Sequence, residues 1–540
     1  MWATGTAADY LDLLDKLNDF LTLKGSAFGL SYVGTGNGTF TAYSGGASSV
    51  AETFTITATS ATNWTVVGSI SGSIGPATTG TPFSHAKLVF TITAGGTAFV
   101  AGDVFLISTA PKWTNLRKAK GCTVTASQFN SGTTAAQNVV DGKLAYNQSN
   151  SWLIASGALA SEWLQFDFVE PETFTQWAMM GGTFTPVCDL LLEYWDGAAW
   201  QQIDLRLAQD LSQGEIRVFS GGAFPAARTR YRLTQTQTST PVNRGLAQMY
   251  LRRSDNGYNA AVAQYAWKAP GNDGDSEIFV GVHPLLRQDA DYYNWEIAAF
   301  DGWNAAVDFH AQVGYHGRDY LPLWNQALPY WFVCNGRCAK VIVKIGTQYE
   351  MAYLGFYDPY LSPNQLPYPI AIGATVALGD PFKDPGLGVD FYWDDARLRY
   401  SNSGNTHRMP THSDDQGSGG SQTAMKYQMR LRQLDGVWVG LMATRTDNFA
   451  SPPSTNQGFI WPYDGDLNNL DVNRDGSYTR WPVVLLLEGP NVVGQLDGVS
   501  AVTGQAVTAE TILTEGPIGH LVLPNIFRTD RNDFLAVALD

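Results

Sequence analysis

The segment DVNRDGSYTRWP sets Asp471, Asn473, Asp475 and Gly476 at positions 1, 3, 5 and 6 of a loop that could gather oxygen ligands around a hard cation. Position 12 is Pro482, where an EF-hand needs a bidentate Glu, and no helical pattern flanks the run, so an EF-hand is excluded. Two readings stay open. One is a non-helical Ca²⁺ site completed by Asp464 and Asp466; the other is an Asp/Asn/Gly turn whose side chains bond their own backbone. Calcium is the one candidate cofactor, with Asp471, Asn473 and Asp475 as its candidate ligands, and no other cofactor is expected.

The other chemistry-bearing residues gather less well. His407, His412, Asp414 and Asp415 lie beside the run QGSGGSQ, but two His five apart do not share a helix face and no third ligand follows at a characteristic spacing. His310 and His316 flank AQVGY, on what reads as a strand and turn. Asp273, Asp275, Asp394 and Asp395 could supply the two carboxylates of a glycosidase, a chemistry that needs a defined separation which spacing alone does not provide. In YWFVCNGRCAKVIVKI, Asn335-Gly336 reads as a hairpin turn between two apolar runs. A two-residue turn pairs Cys334 with Arg337, a three-residue loop sets Cys334 opposite Cys338, and only the second register permits a disulfide. Without further Cys or a nearby His the pair is not a zinc site, and the chain holds no nucleophile elbow, P-loop or HExxH motif. The expectation is a protein that is not an enzyme.

The elements that would carry these residues follow from composition. A chain of 540 residues is too long for one core. With 55 Gly, 25 Pro, 17 Trp, 24 Tyr, 26 Phe and only 15% charged residues, short strands joined by turns should outnumber helices, in a mainly β, multi-domain fold. A net charge of −15 opposes a phosphate backbone, so nucleic acid is excluded as a partner. Four cysteines are too few to staple the chain. MWATGTAADYLDLLDKLNDF lacks the basic start and apolar core of a secretory signal, and no apolar run is long enough to span a membrane. Synthesis in the cytoplasm is therefore expected, although the composition is that of an extracellular adhesion or carbohydrate-binding protein. A virion component released by lysis reconciles the two; a mature secreted chain written without its leader is the alternative.

Residues 7–24 place Tyr10, Leu11, Leu13, Leu14, Leu17, Phe20, Leu21 and Leu23 at three- and four-residue spacing, which predicts an amphipathic helix ended by Gly25. Its apolar face must be buried against its own domain or another subunit, and both remain open. From 25 to 112 the period becomes two, with Phe54, Ile56 and Ala58 alternating with Thr53, Thr55 and Thr57: a small antiparallel β domain without an acid, base or ligand cluster. Its segments GNGTFTAYSGGASSVAETFTITATS and FTITAGGTAFVAGDVFLIST resemble a β module of tailed-bacteriophage tail proteins.

Residues 113–254 run through TNLRKAKGCTVTASQF, EWLQFDF, LLLEYWDGAAWQQI, ARTRYRLTQTQ and LAQMYLRR. This order resembles the discoidin, or coagulation-factor type C, β-sandwich, a fold often used to bind sugars or lipid headgroups. The resemblance implies that Trp163, Phe166 and Phe168 supply a central strand, that Tyr194-Trp195-Asp196-Gly197 makes a hairpin turn with Trp200 behind it, and that ligands meet loops at one end. Trp152, in SNSWLIASG, is on that basis the residue expected nearest a sugar. The calcium held by many bacterial members through a DG turn and a late Glu is opposed here, because Asp141-Gly142 is followed by Lys143 and the late position is Gln248.

Residues 255–540 carry KIGTQYEMAYLGFYDPYLSPNQLPYPI, LLLEGPNVVGQLDGVSAVTG and LPNIFRTDRNDFLAVALD in an order that resembles virion structural proteins of tailed bacteriophages, located in the tail or baseplate. The resemblance implies a structural component that docks on other tail proteins as a symmetric homo-oligomer and touches host-surface glycan through the discoidin-like domain, with no membrane insertion. A carbohydrate-active enzyme with an appended binding module, or a bacterial surface adhesin, is the alternative.

Overall fold

The computed structural model describes residues 1–127, 136–140, 152–154, 161–182, 187–210, 216–237, 244–252, 263–271, 276–287, 292–305, 307, 309, 312–321, 323–360, 366, 368–374, 376–377, 429–432, 438–440, 472–487, 491–514, 518–524 and 534–540. The fold is mainly β, as the composition requires, and its main body is built from three sheets. A seven-stranded antiparallel sheet takes Trp2–Ala7, Leu328–Cys334, Cys338–Ile345, Gln348–Phe356, Ile370–Gly373, Met429–Arg432 and Trp438–Gly440 in that order. One of its faces packs on a six-stranded sheet that begins with Thr114–Lys120 and Ala263–Ala269, and the other packs on a sheet centred on Asn491–Val502 and Phe534–Ala538. Strands in the middle layer are covered on both sides, which is why Cys338–Ile345 reads CAKVIVKI without alternation.

Helix α1, Tyr10–Leu23, is capped by Asp9, whose Oδ1 accepts the Leu11 and Asp12 amides at 2.8 Å. Leu13, Leu14, Leu17 and Leu21 are buried among Trp267, Phe332 and Val343, so the apolar face is covered by the chain's own body. Asn18 stitches the contact: its Oδ1 accepts Trp267 Nε1 at 3.1 Å and Asn115 Nδ2 at 2.7 Å. Ahead of the helix, Trp2–Ala7 pairs antiparallel with Leu328–Cys334, and the Met1 nitrogen donates to the carbonyls of Ala27 and Cys334 at 3.0 and 2.9 Å.

The chain leaves this body twice and returns twice. Residues 26–110 form the first excursion, a sandwich of a five-stranded sheet (Ser26–Val33, Val104–Ala110, Glu52–Ala58, Asn63–Gly68, Gly72–Thr78) on a three-stranded one (Thr39–Gly45, Leu88–Thr93, Phe83–Ser84). Its exit and entry lie side by side: a Cβ on Gly25 would stand 2.4 Å from the Ala110 carbonyl oxygen, so only glycine fits. Trp113 then re-enters the main core, donating its amide to the Leu21 carbonyl at 2.9 Å and Nε1 to the Asn335 carbonyl at 3.1 Å.

Residues 114–120, expected to open the second sandwich, instead pair with Ala263–Ala269 in the body. The second excursion starts after Gly121, whose φ of +71° suits glycine, and runs from Cys122–Ala126 to Arg244–Arg252. It stacks a five-stranded sheet (Cys122–Ala126, Ser161–Glu172, Arg228–Gln237, Cys188–Trp195, Trp200–Gln209) on a four-stranded one (Trp152–Ile154, Arg244–Arg252, Gln176–Gly181, Ile216–Ser220). This two-sheet sandwich occupies the stretch whose motif order resembles the discoidin fold. The described residues of 1–24, 113–120 and 263–540 thus contribute to one body from which two modules are looped out.

Candidate functional site

Trp152, expected at a ligand-facing loop, is a core residue. It lies on Trp152–Ile154, pairs with Leu246, and is 0% exposed among Val139, Leu164, Leu192 and Leu246. A side chain with no accessible surface cannot stack on a sugar, and the indole fills the space between the sheets instead. The parity of Ser161–Glu172 gives a second correction. Leu164, Phe166 and Phe168 point into the core, while Trp163 belongs to the opposite parity and lies half-buried on the outer face. Trp177 takes the inner place between sheets, stacked on Phe219 at 4.2 Å and donating Nε1 to Asp204 Oδ2 at 2.8 Å.

The aromatic surface that the sandwich offers to solvent sits on the outer face of the five-stranded sheet. Trp195 and Trp200 are cross-strand partners with centroids 5.5 Å apart at 64°, both half-buried. The Arg232 guanidinium lies 4.2 Å from the Trp200 ring and is fixed by Glu193, whose Oε2 accepts Nε at 2.9 Å and Nη2 at 2.8 Å. Asp196 holds the turn by accepting the Ala198 and Ala199 amides and Gln201 Nε2, each at 2.8 Å. These bonds hold its carboxyl below the usual range, the Ala199 amide contributing most. The patch combines apolar ring edges, a guanidinium and carboxylates, the groups that bind polyhydroxyl surfaces. Sequence reasoning placed Trp200 behind the turn; its parity, opposite to that of the buried Ile203 three positions on, was the signal for an outward ring.

In the loop after residue 471, the ordinary turn is what forms. Asp475 Oδ1 accepts Ser477 Oγ at 2.6 Å and the Ser477 amide at 3.0 Å. Asn473 Nδ2 donates to Ser477 Oγ at 2.9 Å, and the Gly476 amide donates to the Asn473 carbonyl at 2.8 Å. The side chains of Asn473 and Asp475 are thus turned onto their own loop, and the Ser477 hydroxyl draws the Asp475 carboxyl below its ordinary pKa. Asp471, Asp464 and Asp466 lie outside the described residues, as do Asp141, Lys143, His310, His407, His412, Asp414, Asp415, Asp273, Asp275, Asp394, Asp395 and the Gln248 side chain. Among the described residues, no three His, Cys, Asp or Glu side chains gather closely enough to hold a metal ion.

The hairpin at Asn335 adopts neither expected register. Cys334 pairs with Ala339, and the Asn335 amide donates to the Cys338 carbonyl at 3.1 Å, so Gly336-Arg337 is the turn. Asn335 Oδ1 causes the slip by accepting the amides of Arg337 and Cys338, both at 2.8 Å. Cys334 then faces the helix-side core and Cys338 the opposite one, and both thiols are free and buried. Burial pushes the Cys338 thiol up to about 12 and the Cys334 thiol higher. Another buried polar group, invisible in the sequence, joins His283 Nδ1 to Glu296 Oε2 at 3.1 Å on paired strands, with the Tyr315 hydroxyl donating to the second Glu296 oxygen.

No family model and no curated protein matches the chain. Among solved structures, the match to the CBM32 of AlyQ in complex with 4,5-unsaturated mannuronic acid covers 26% of this chain and 97% of that module, at 15% identity and a TM-score of 0.20. Chitosan-binding module 1 of a chitosanase/glucanase from Paenibacillus sp. IK-5 matches over 24% of this chain and 94% of its own, at 16% identity and a TM-score of 0.21. The family 32 CBM from C. perfringens NanJ in complex with galactose matches over 24% and 92%, at 9% identity and a TM-score of 0.21. Each likeness extends over about a quarter of this chain and over nearly the whole of the module compared with it.

Proposed function

We propose that the chain is a non-enzymatic structural component of a bacteriophage tail tip or baseplate, made in the host cytoplasm and carried in the virion, whose discoidin-like sandwich contacts host-surface glycan. The observation that supports this best is the chain path. Each module leaves the body and returns to it at neighbouring points, the first between the end of helix α1 and Trp113, whose amide bonds the Leu21 carbonyl, and the second between the paired strands Thr114–Lys120 and Ala263–Ala269, so each is held at two points, as a display scaffold requires. A module at the end of a single linker would tumble instead.

On this reading the glycan contact belongs to Trp195, Trp200 and Arg232, since Trp152 is core. Ring edges meet the C–H face of a pyranose while Arg232, held in place by Glu193, meets its hydroxyls. One such contact buries little area, so a single site binds near the millimolar end, about −4 kcal/mol. Copies arrayed in a particle would raise the effective affinity by roughly 10²–10⁴. The test is adsorption of the full chain to host cells and to isolated surface polysaccharide, with localisation in intact particles by electron microscopy. Trp195→Ala should reduce adsorption while lowering the melting temperature only slightly, with a folded, cooperative module retained. Unchanged adsorption removes the glycan site, absence of the chain from particles removes the tail role, and release of reducing ends by the purified protein would establish the enzyme alternative.

A further inference from the structure

We propose that the outer face of the five-stranded sheet in the first module is a self-association surface whose occupant is a second copy of this chain. The observation is one of charge. Between Ser26 and Ala110 the only formally charged side chains are Glu52, Lys87 and Asp103. Glu52 and Asp103 are turned inward, 6% and 2% exposed. Glu52 takes the amides of Ile70 and Ser71 at 3.2 and 2.8 Å, and Asp103 those of Thr35, Gly36 and Val100 at 3.0–3.1 Å. Lys87 lies in the turn that leads into Leu88–Thr93, on the three-stranded sheet. The outer face of the five-stranded sheet therefore carries no charge, on a chain whose net charge is −15.

The face is also exposed. One row across it runs Leu106, Thr55 and Val67, and the next runs Val33, Val104 and Thr57, each set cross-strand partners. Val33 is 70% exposed, Val67 43% and Leu106 36%, with threonine methyls filling the places between. Asp540 approaches only the body-side corner, at the Gly29 amide. A third row runs Phe28, Ser108 and Thr53; five strands and three rows span about 24 Å by 20 Å, and two such faces pressed together bury about 1,000 Å², the threshold for a specific contact.

Why a second copy rather than another protein? Two chains of net charge −15 repel each other over most of their surface, so identical copies approach at least electrostatic cost through a face without charges. A basic partner would be drawn to the acidic remainder of the molecule instead. Because helix α1 is buried in its own chain, it does not serve as the subunit contact that its apolar face allowed, and the uncharged sheet takes that place. The inference extends the assembly reading above, but its test needs no particle, so the two fail separately.

The experiment measures the mass of the full chain by sedimentation velocity and mass photometry from about 0.1 to 100 µM at about 50 and 500 mM salt. Concentration-dependent association is expected, and it should strengthen with salt, because screening weakens the mutual repulsion while the contact contains no ion pairs. Thr55→Glu and Val67→Glu, on neighbouring strands, should each weaken association by about tenfold or more, since like charges then face each other. Leu207→Glu, at an equally exposed apolar position of the second sandwich, should leave it unchanged. Melting temperatures close to the parent show that the variants fold. A monomer throughout the range, association weakened by salt, or face variants that associate like the parent would overturn the proposal.

Discussion

Trp152 is buried and Trp163 lies on the outer face, the reverse of what their sequence context implied, and the difference is measurable. Trp152→Ala removes a fully buried indole from between two sheets and should cost about 3–5 kcal/mol. Trp163→Ala removes a half-buried ring from the outer face and should cost about 1–2 kcal/mol. Denaturant titration of the two variants checks the order, and equal losses would contradict the assigned faces. Asp103 supplies a second residue-scale expectation. Burial opposes its charge, but the amides of Thr35, Val100 and Gly36 and the Tyr32 hydroxyl outweigh that and bring its pKa down to about 2. The folded pKa is depressed, so this stabilisation is complete above the ordinary carboxylate pKa of about 4 and is lost as pH falls toward 2. Asp103→Asn should flatten that acid-side slope in thermal melts of the full chain and cost about 1–3 kcal/mol at neutral pH. What was legible at this scale was residue type. Face was not, because a three-residue strand such as Trp152–Ile154 is too short to show its period, and Trp163 differs from Phe166 only by parity.

Among the elements, the long periodic ones were readable. Leucines at helical spacing after Asp9, ended by Gly25, specified helix α1, and the Thr alternation specified the strands around Phe54. What the pattern left open was what covers the helix, since a broad apolar stripe looks the same against a sheet of its own chain or against another subunit. The structure gives it Trp267, Phe332 and Val343, and its loss should therefore be a loss of stability. Deleting Trp2–Leu23, or replacing Leu17 with Asp, should abolish cooperative unfolding of the main body, and Leu17→Ala should cost about 2–5 kcal/mol. Circular dichroism melts and limited proteolysis check this; a deletion variant with the parent melting profile would contradict the assigned packing. The hairpin at Asn335 was legible as a hairpin but not in register, because a side chain that accepts two amides competes with the backbone for the turn.

For the molecule as a whole, order of motifs along the chain was a good guide to the modules and a poor one to their boundaries. Cys122 to Arg252 does form a sandwich, yet TNLRKAK, which precedes it without a break, completes a sheet with Ala263–Ala269. Local pattern cannot reveal a pairing whose partner lies more than a hundred residues away. The same nesting has a consequence for how the protein comes into being. Trp2–Ala7 leaves the ribosome well before its partner Leu328–Cys334, which follows 321 positions later. At about 5–20 residues per second the early strand waits roughly 15–60 s for its neighbour. During that interval both looped-out modules emerge complete and can fold, while the helix and the first strand remain without a sheet to lie on. Translation speed and chaperone access over that window, rather than the stability of either module, should govern the yield of native chain.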